Sequence, residues 1–298
     1  MNKFEYLMLF LQYLLEKFKI KRMDDKKYLS FQFYRIMGKK LDFENPVTFN
    51  EKLQWLKIYD RKDYYTNLVD KANVKKIISD MIGSKYIIPT IGVYDNFKDI
   101  DFSTLPNQFV IKCTHDSGGL MICKDKNNFD YKKCRKKINK SLKKNYFYYW
   151  REWPYKNVKP RIIIEKYMDD GTNSQLNDYK LMCFNGKVKC SFICSERDNN
   201  KDGLAVTFYD LDWNIMPFRR HYRISEKKIS KPENYDLMIS LTEKICKNIK
   251  FARVDWYEIK GKLFFGEITF FPGAGFEEFE PYEYDVFFGN MIDLGVKQ

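Results

Sequence analysis

The segment FARVDWYEIKGKLFFGEITFFPGAG, residues 251–275, carries the side chains best suited to chemistry. Two β-like runs flank Lys260-Gly261-Lys262, and a three-residue loop with a central Gly would close them into a hairpin. In that register residue 259 faces 263, which places Asp255 directly opposite Glu267. The two-residue period then sets Arg253 beside Asp255 and Thr269 beside Glu267 on the same face. Val254, Trp256, Phe264 and Ile268 make the neighbouring positions apolar or aromatic. Two opposed carboxylates repel unless a cation lies between them. One reading is a hard-oxygen site for Mg²⁺, which proteins hold with one or two carboxylates plus substrate phosphates. The other is a solvated acidic pair neutralised by Arg253 or a lysine.

A second segment is FVIKCTHDSGG, residues 109–119. A β-like run carrying Lys112 leads into a small polar loop with two glycines. Backbone N–H groups of such a loop can cradle phosphate, and a lysine on the preceding strand can neutralise it. Asp-Ser-Gly-Gly is also an ordinary turn, so the loop alone decides nothing. Neither GxxxxGK[ST] nor GxGxxG occurs. The seven cysteines form no CxxC pair and there are two histidines, so zinc-ligand spacing is absent. Scattered, odd-numbered cysteines fit reduced thiols packed as small core residues. No Ser/His/Asp or Cys/His arrangement suggests a protein nucleophile.

These residues need elements to position them. Residues 1–65 look helical, and Thr48-Phe49-Asn50-Glu51 fits a capping box that opens an apolar-periodic run. A second helix is expected over 70–81, with Asp70 as N-cap and Gly83 beyond its end. The pattern then turns to short β-like runs at 86–88, 109–113 and 120–123. A basic helix follows at 131–144. Strands are expected at 161–166, 179–184, 187–194 and 204–209, with Asn185-Gly186 as a two-residue hairpin turn. A helix at 235–247 precedes strands at 251–258 and 263–270. This is an α+β pattern with antiparallel hairpins. No linker of low complexity divides it.

In their order, these elements resemble the ATP-grasp superfamily, and more closely its TupA-like branch. The resemblance rests on NPVTFNEKLQWLKIYDR (45–61), LVDKANVKKII (68–78), FVIKCTHDSGG, IIIEKYM (162–168), DYKLMCFNGKVK (178–189) and FARVDW…GEITFFPGAGFEEF. The last motif of the superfamily reads roughly R-x-D, a spacer, then E-x-N-x-x-P-G. Here Thr269 stands in place of the Asn. The resemblance implies an ATP-grasp fold, two α+β lobes clasping ATP behind a helical N-terminal extension. Its divisions would be 1–68 for the extension, 69–168 for the first lobe and 169–298 for the second. It implies that Lys71 and Lys112 contact ATP phosphates, with His115, Ser117, Gly118 and Gly119 closing over them. Glu165, Lys166 and Tyr167 would form the adenine hinge, and Lys180 would face the nucleotide. Asp255 and Glu267, with Thr269, would hold Mg²⁺. Arg253 and Lys112 would act on the transferred phosphoryl group or acyl-phosphate, and the loop 272–276 would border the acceptor.

The activity so implied is an ATP-dependent carboxylate–amine ligase. It would form an amide on a uronic acid of a surface or capsular polysaccharide or its sugar precursor. The amine would be an amino acid or amino alcohol; in the opposite polarity, an amino-acid carboxylate would be joined to an amino sugar. Sugar phosphotransfer, glycosyl transfer and non-catalytic ATP binding are the rival readings. Composition agrees with a folded, anion-binding chain. The 298 residues are 44% hydrophobic and 17% aromatic, which excludes intrinsic disorder, and carry a net charge of +13. Eight Lys/Arg fall between 132 and 144, next to the aromatic run 146–150 and Trp153. One reading is a solvated helix face; the other is docking to an anionic glycan, a lipid-linked saccharide or a nucleotide sugar, and no nucleic-acid motif accompanies it. Residues 1–22 lack a cleavage site and are too short and charged to span a membrane. They read either as a helix packed on the body or as one lying on a membrane, with Lys17, Lys19, Lys21 and Arg22 at lipid phosphates. The expected location is the cytoplasm, with the inner face of the membrane as an open alternative.

Overall fold

The structure is a computed structural model that describes residues 23–171, 176–196 and 203–295. The amphipathic stretch at 1–22 lies outside the described residues. Helix α1 (Asp25–Met37) is capped by Asp24, whose carboxylate accepts from the Lys27 N–H at 3.0 Å, and it stops at Gly38 in the left-handed region. Helix α2 (Phe49–Tyr59) opens on the expected capping box. Thr48 accepts from the Glu51 N–H, and the Glu51 carboxylate accepts from the Thr48 N–H at 2.9 Å. The expected 70–81 helix is interrupted at its start. Helix α3 (Tyr64–Val69) ends at Asp70, and α4 (Asn73–Ile82) begins three residues later. Asp70 still caps the break, since its carboxylate accepts from the N–H groups of Ala72 and Asn73.

A four-stranded antiparallel sheet follows. Its members are β1 (Thr90–Tyr94), β2 (Phe109–Cys113), β3 (Leu120–Cys123) and, after helices α5 (Tyr131–Leu142) and α6 (Phe147–Trp150), β4 (Ile162–Lys166). The spatial order is β1-β4-β2-β3. Cys134 and Ile138 of α5 pack on Ile111, Cys113, Ile162 and Ile164, forming a core of their own. The β-like run at 86–88 is instead a 3-10 turn over Ser84–Tyr86, and Ile87 makes a single bridge to Phe265.

The larger sheet has the order β10-β9-β5-β6-β7, all antiparallel. It comprises β5 (Asp178–Phe184), β6 (Lys187–Ser195), β7 (Ala205–Tyr209), β9 (Phe251–Ile259) and β10 (Lys262–Thr269). Asn185 and Gly186 both have positive φ, as a two-residue primed turn requires. Between β7 and β9 lie β8 (Arg219–Arg220) and α7 (Tyr235–Ile245). Thr242 of α7 accepts from the Trp256 indole N–H at 2.9 Å under the sheet. The ribbon partner of β8, β11 (Phe279–Glu280), precedes α8 (Glu283–Asn290). Phe49 of α2 inserts between Phe184, Phe251, Phe279 and Phe288, so α2 belongs to the core of the larger sheet. All seven cysteines are free thiols.

Candidate active site

The β9–β10 hairpin orients the acidic pair, by a different route from the expected one. Ile259 faces Lys262, so the turn is the two residues Lys260-Gly261, both with positive φ, and not three. Continued regularly, that turn would set Glu267 opposite Val254 and point it into the core, because a one-residue slip changes the face of every side chain. The ladder instead slips between Phe265 and Ile268. Gly266 and Glu267 together stand opposite Asp255, forming a β-bulge that returns Glu267 to the polar face. The bulge is tight: a Cβ on Gly266 would lie 3.0 Å from the Asp255 carbonyl oxygen.

Arg253 joins the two carboxylates. Its Nε and Nη2 donate to the two oxygens of Asp255 at 2.6 and 2.7 Å, and Nη2 also donates to Glu267 Oε1 at 3.1 Å. On the adjacent strand Lys180 faces Asp255 and donates to it and to Asp178. Burial alone would raise the Asp255 carboxyl, but Arg253 and Lys180 outweigh it and hold Asp255 below the usual carboxylate range. Burial likewise opposes the Arg253 and Lys180 charges, and their acidic partners reverse this, so both stay protonated. Glu267 is the open member of the set, with 43% of its side chain exposed. The Thr269 hydroxyl donates to its Oε1 at 3.4 Å.

The facing wall comes from the first sheet and its loops. Lys71 sits in the break between α3 and α4. Its N–H donates to the Thr114 carbonyl at 3.1 Å and its Nζ to the Asp116 carbonyl at 2.7 Å. Burial lowers its pKa, partly countered by Glu267 across the cleft. In the 114–119 loop the Asp116 carboxylate accepts from the Gly119 N–H at 3.0 Å and from the Ser141 hydroxyl. A Cβ on Gly119 would meet Ser141 Oγ at 2.6 Å, so the loop lies flat on α5, while Gly118 has open space. His115 is buried against the Ser141 carbonyl, and burial depresses its pKa. The Ser117 hydroxyl donates to the Tyr146 oxygen at 3.3 Å. Lys71, Ser117, Arg253, Glu267 and Thr269 thus line one cleft of about 450 Å³.

Lys112 and Glu165 form a separate group. Glu165, 4% exposed, lies between Lys112 at 2.6 Å and Lys75 at 2.5 Å. Burial would raise its carboxyl, but the two lysines hold it down. Lys166 and Tyr167 follow at the exposed end of β4, where the Lys166 N–H donates to the Pro89 carbonyl. Lys75 is a charged neighbour that sequence reasoning missed. It stands four residues after Lys71, a spacing that would share a face if the helix began at Asp70, although Lys71 in fact precedes α4. Glu152 was missed too. It lines the cleft although buried, and nothing in REWP signals that position.

Two carboxylates and a hydroxyl are hard oxygen donors and fit Mg²⁺. Both oxygens of Asp255 are engaged by cations, while Oε2 of Glu267 has no hydrogen bond among the described residues. No cluster of three or more His, Cys, Asp or Glu side chains suited to a metal occurs among the described residues. Glu267 is thus the donor left open to a cation, whose shell substrate phosphates would complete, and Asp255 could join it only by giving up Arg253 or Lys180.

A family model described as TupA-like ATPgrasp matches residues 51–293. The chain belongs to the TupA-like ATP-grasp family. It thereby joins a superfamily of ATP-dependent ligases with this α+β fold. No curated protein matches this TupA-like chain. Among solved structures it is similar to D-alanine–D-alanine ligase from Bacillus anthracis complexed with ATP, at 15% identity and TM-score 0.37, covering 68% of this chain and 53% of that one. It is similar to the D-alanine–D-alanine ligase from Helicobacter pylori at 13% identity and TM-score 0.41, covering 84% and 70%. The L-amino acid ligase from Bacillus licheniformis gives 11% identity and TM-score 0.45, covering 80% and 51%. The chain spans about half the length of the first of these ligases.

Proposed function

We propose that this TupA-like ATP-grasp protein is an ATP-dependent carboxylate–amine ligase that forms an amide through an acyl-phosphate. The observation that carries this reading is the Arg253–Asp255–Glu267 cluster, which faces Lys71 across one cleft. A substrate carboxylate oxygen attacks the γ-phosphoryl of ATP and ADP leaves. An amine then displaces phosphate from the acyl carbon. Phosphoryl transfer of this kind depends on positioning and charge stabilisation and needs no protein nucleophile.

Lys71, Lys112 and Lys180 offset charge on the ATP phosphates, and the 115–119 loop covers them with backbone N–H groups. Glu165, Lys166 and Tyr167 form the adenine hinge. Arg253 is held in place by Asp255 and Glu267, so its guanidinium needs no reorganisation to meet charge on the acyl-phosphate. Asp255, Glu267 and Thr269 are the residues that would hold Mg²⁺, whose charge offsets that of the phosphates when bound.

The carboxylate substrate in this reading is a uronic acid of a surface polysaccharide or its nucleotide-sugar precursor. The amine is an amino acid or amino alcohol. The TupA-like family assignment and the basic, aromatic-rich character of 132–153 support it. We place the protein in the cytoplasm, with contact of the basic N-terminal residues with the inner membrane face as the alternative reading. No described helix is long and apolar enough to cross a membrane. The test is incubation with ATP, Mg²⁺, a uronate and a panel of amines. ADP, stoichiometric phosphate and an amide mass support ligation. ADP with a phosphosugar and no free phosphate indicates phosphotransfer, and a product formed without ATP refutes the ligase reading.

A further inference from the structure

The cleft lined by Lys71, Arg253 and Glu267 also carries a group of aromatic side chains, Tyr146, Trp150, Tyr155, Phe271 and Phe276. A second carboxylate, Glu152, lines it with them. Trp150 packs against Phe276 with ring centroids 5.2 Å apart, and Tyr146 against Tyr155 at 5.0 Å. Glu152 is 4% exposed, yet among the described residues its carboxylate has neither a hydrogen bond nor a cation within 4 Å. The positive charge that acts on it is that of Lys57 of α2. Lys57 is committed elsewhere: its Nζ donates to Gln54 Oε1 at 2.9 Å and to the Ala274 carbonyl at 2.8 Å. A buried carboxylate without a partner is costly. One that faces a cleft walled by aromatic rings has the composition of a site for a small organic cation, because ring faces attract cations too.

We propose that Glu152 receives the ammonium group of the amine substrate among these rings, and takes from it the proton that must leave before the nitrogen can attack. This inference rests on the ligase reading and specifies its second substrate as a primary amine that arrives charged. The balance is simple. R–NH₃⁺ and the Glu152 carboxylate become R–NH₂ and a carboxylic acid. The nitrogen lone pair forms the C–N bond, the acyl C–O bond to phosphate breaks, and the second nitrogen proton leaves with the phosphate. Glu152 then returns its proton to solvent. Burial pushes the Glu152 carboxyl up to about 7, which suits a group that must accept a proton near neutral pH. The titratable groups acting on it are Lys57, Tyr146 and Tyr155, and Lys71, Arg253 and Glu267 line the same cleft. Burial lowers Lys57 to about 7 and raises both tyrosines, so the tyrosines stay neutral in the same range.

Two measurements test this. Saturation-transfer NMR compares ethanolamine with ethylene glycol, its uncharged counterpart. Transfer to ethanolamine alone is expected, lost in Glu152→Gln and partly kept in Glu152→Asp. Equal transfer to both probes, or undiminished transfer in Glu152→Gln, overturns the proposal whether or not any ligase turnover is found. The second measurement supplies D-glucuronate, ATP and Mg²⁺ with either ethanolamine or hydroxylamine, a nucleophile that is uncharged near neutral pH and needs no base. The ratio of amide to hydroxamate should fall about 100-fold in Glu152→Gln, the size expected for loss of a general base. An unchanged ratio overturns the role of Glu152. Absence of hydroxamate with the wild-type protein overturns the ligase reading instead, leaving the NMR result to decide the cation site.

Discussion

Glu267 and Lys112 differ in what removing them disturbs, and both can be tested without unfolding the chain. Glu267→Gln is isosteric, half exposed, and keeps an oxygen for the Arg253 hydrogen bond, so folding should be retained. Lys112→Ala leaves Glu165 paired with Lys75, so the buried carboxylate is not stranded. Each variant should lose ATP turnover while its thermal melt stays cooperative, and near-normal ADP release in either would refute the assigned role. Glu152 permits a stability prediction with a definite sign. Its folded pKa, near 7, lies above the unfolded value near 4.5, so its contribution is fully present at low pH and is lost as pH rises through 7. The span corresponds to at most about 3 kcal/mol. Lys57 titrates in the opposite sense, its lowered pKa favouring the fold above 7. The difference between wild type and Glu152→Gln isolates the carboxylate: the variant should gain on wild type in urea melts between pH 5 and pH 8. A difference that is flat with pH would mean that Glu152 is not buried as a charge.

The hairpin that carries Arg253, Asp255, Glu267 and Thr269 shows how much of an element a sequence reveals. Alternation and the central glycine placed both strands within a residue or so of their ends. The face shared by Asp255 and Glu267 was also legible, though through the wrong turn. A two-residue turn and a one-residue bulge together give the same register beyond residue 267 as a three-residue loop without a bulge. Periodicity cannot separate these two routes, because only the total offset sets the face. The one available signal was Gly266, a glycine inside a strand, which commonly marks a bulge. Other elements escaped for different reasons. Strand β1 interrupts its apolar run with Gly92, and β8 and β11 are two residues each, too short for any period to register. The bulge makes an element-scale prediction. Valine favours strands in general, but a Cβ at 266 crowds the Asp255 carbonyl at 3.0 Å, so Gly266→Val should displace Glu267. A shift of about 1 Å at a catalytic group costs about 100-fold in rate. ATP turnover should therefore fall on that order while the melting temperature moves by only a few degrees. Retained turnover would show that the bulge does not set the geometry of the site.

The net charge of +13 is divided between two uses, and they can be separated across the whole molecule. Lys71 and Arg253 at the cleft, Lys180 behind Asp255 and Lys112 in the separate group with Glu165 are each tied to carboxylates or carbonyls. The eight Lys/Arg between 132 and 144 are not: none forms an ion pair with a described residue, and Cys134, Ile138 and Ser141 are the buried positions of α5. Six like charges on one helix repel one another and weaken its isolated stability, so the packing of Cys134 and Ile138 must hold it in place. If the substrate is part of an acidic polysaccharide, this face and the cleft act in series, the helix holding the polymer and the cleft one uronate. Replacing Lys132, Lys133, Lys136 and Lys137 with Glu should then abolish retention on immobilised hyaluronate, a polymer of uronate repeats. Wild-type retention should weaken steeply as salt is raised, because exposed charges are screened within about 8 Å at physiological ionic strength. Hydroxamate formation from monomeric glucuronate should be unaffected in the same variant, since none of the four lysines lines the cleft. Salt-insensitive retention by the wild type, or retention unchanged by the four substitutions, would assign polymer binding to some other surface.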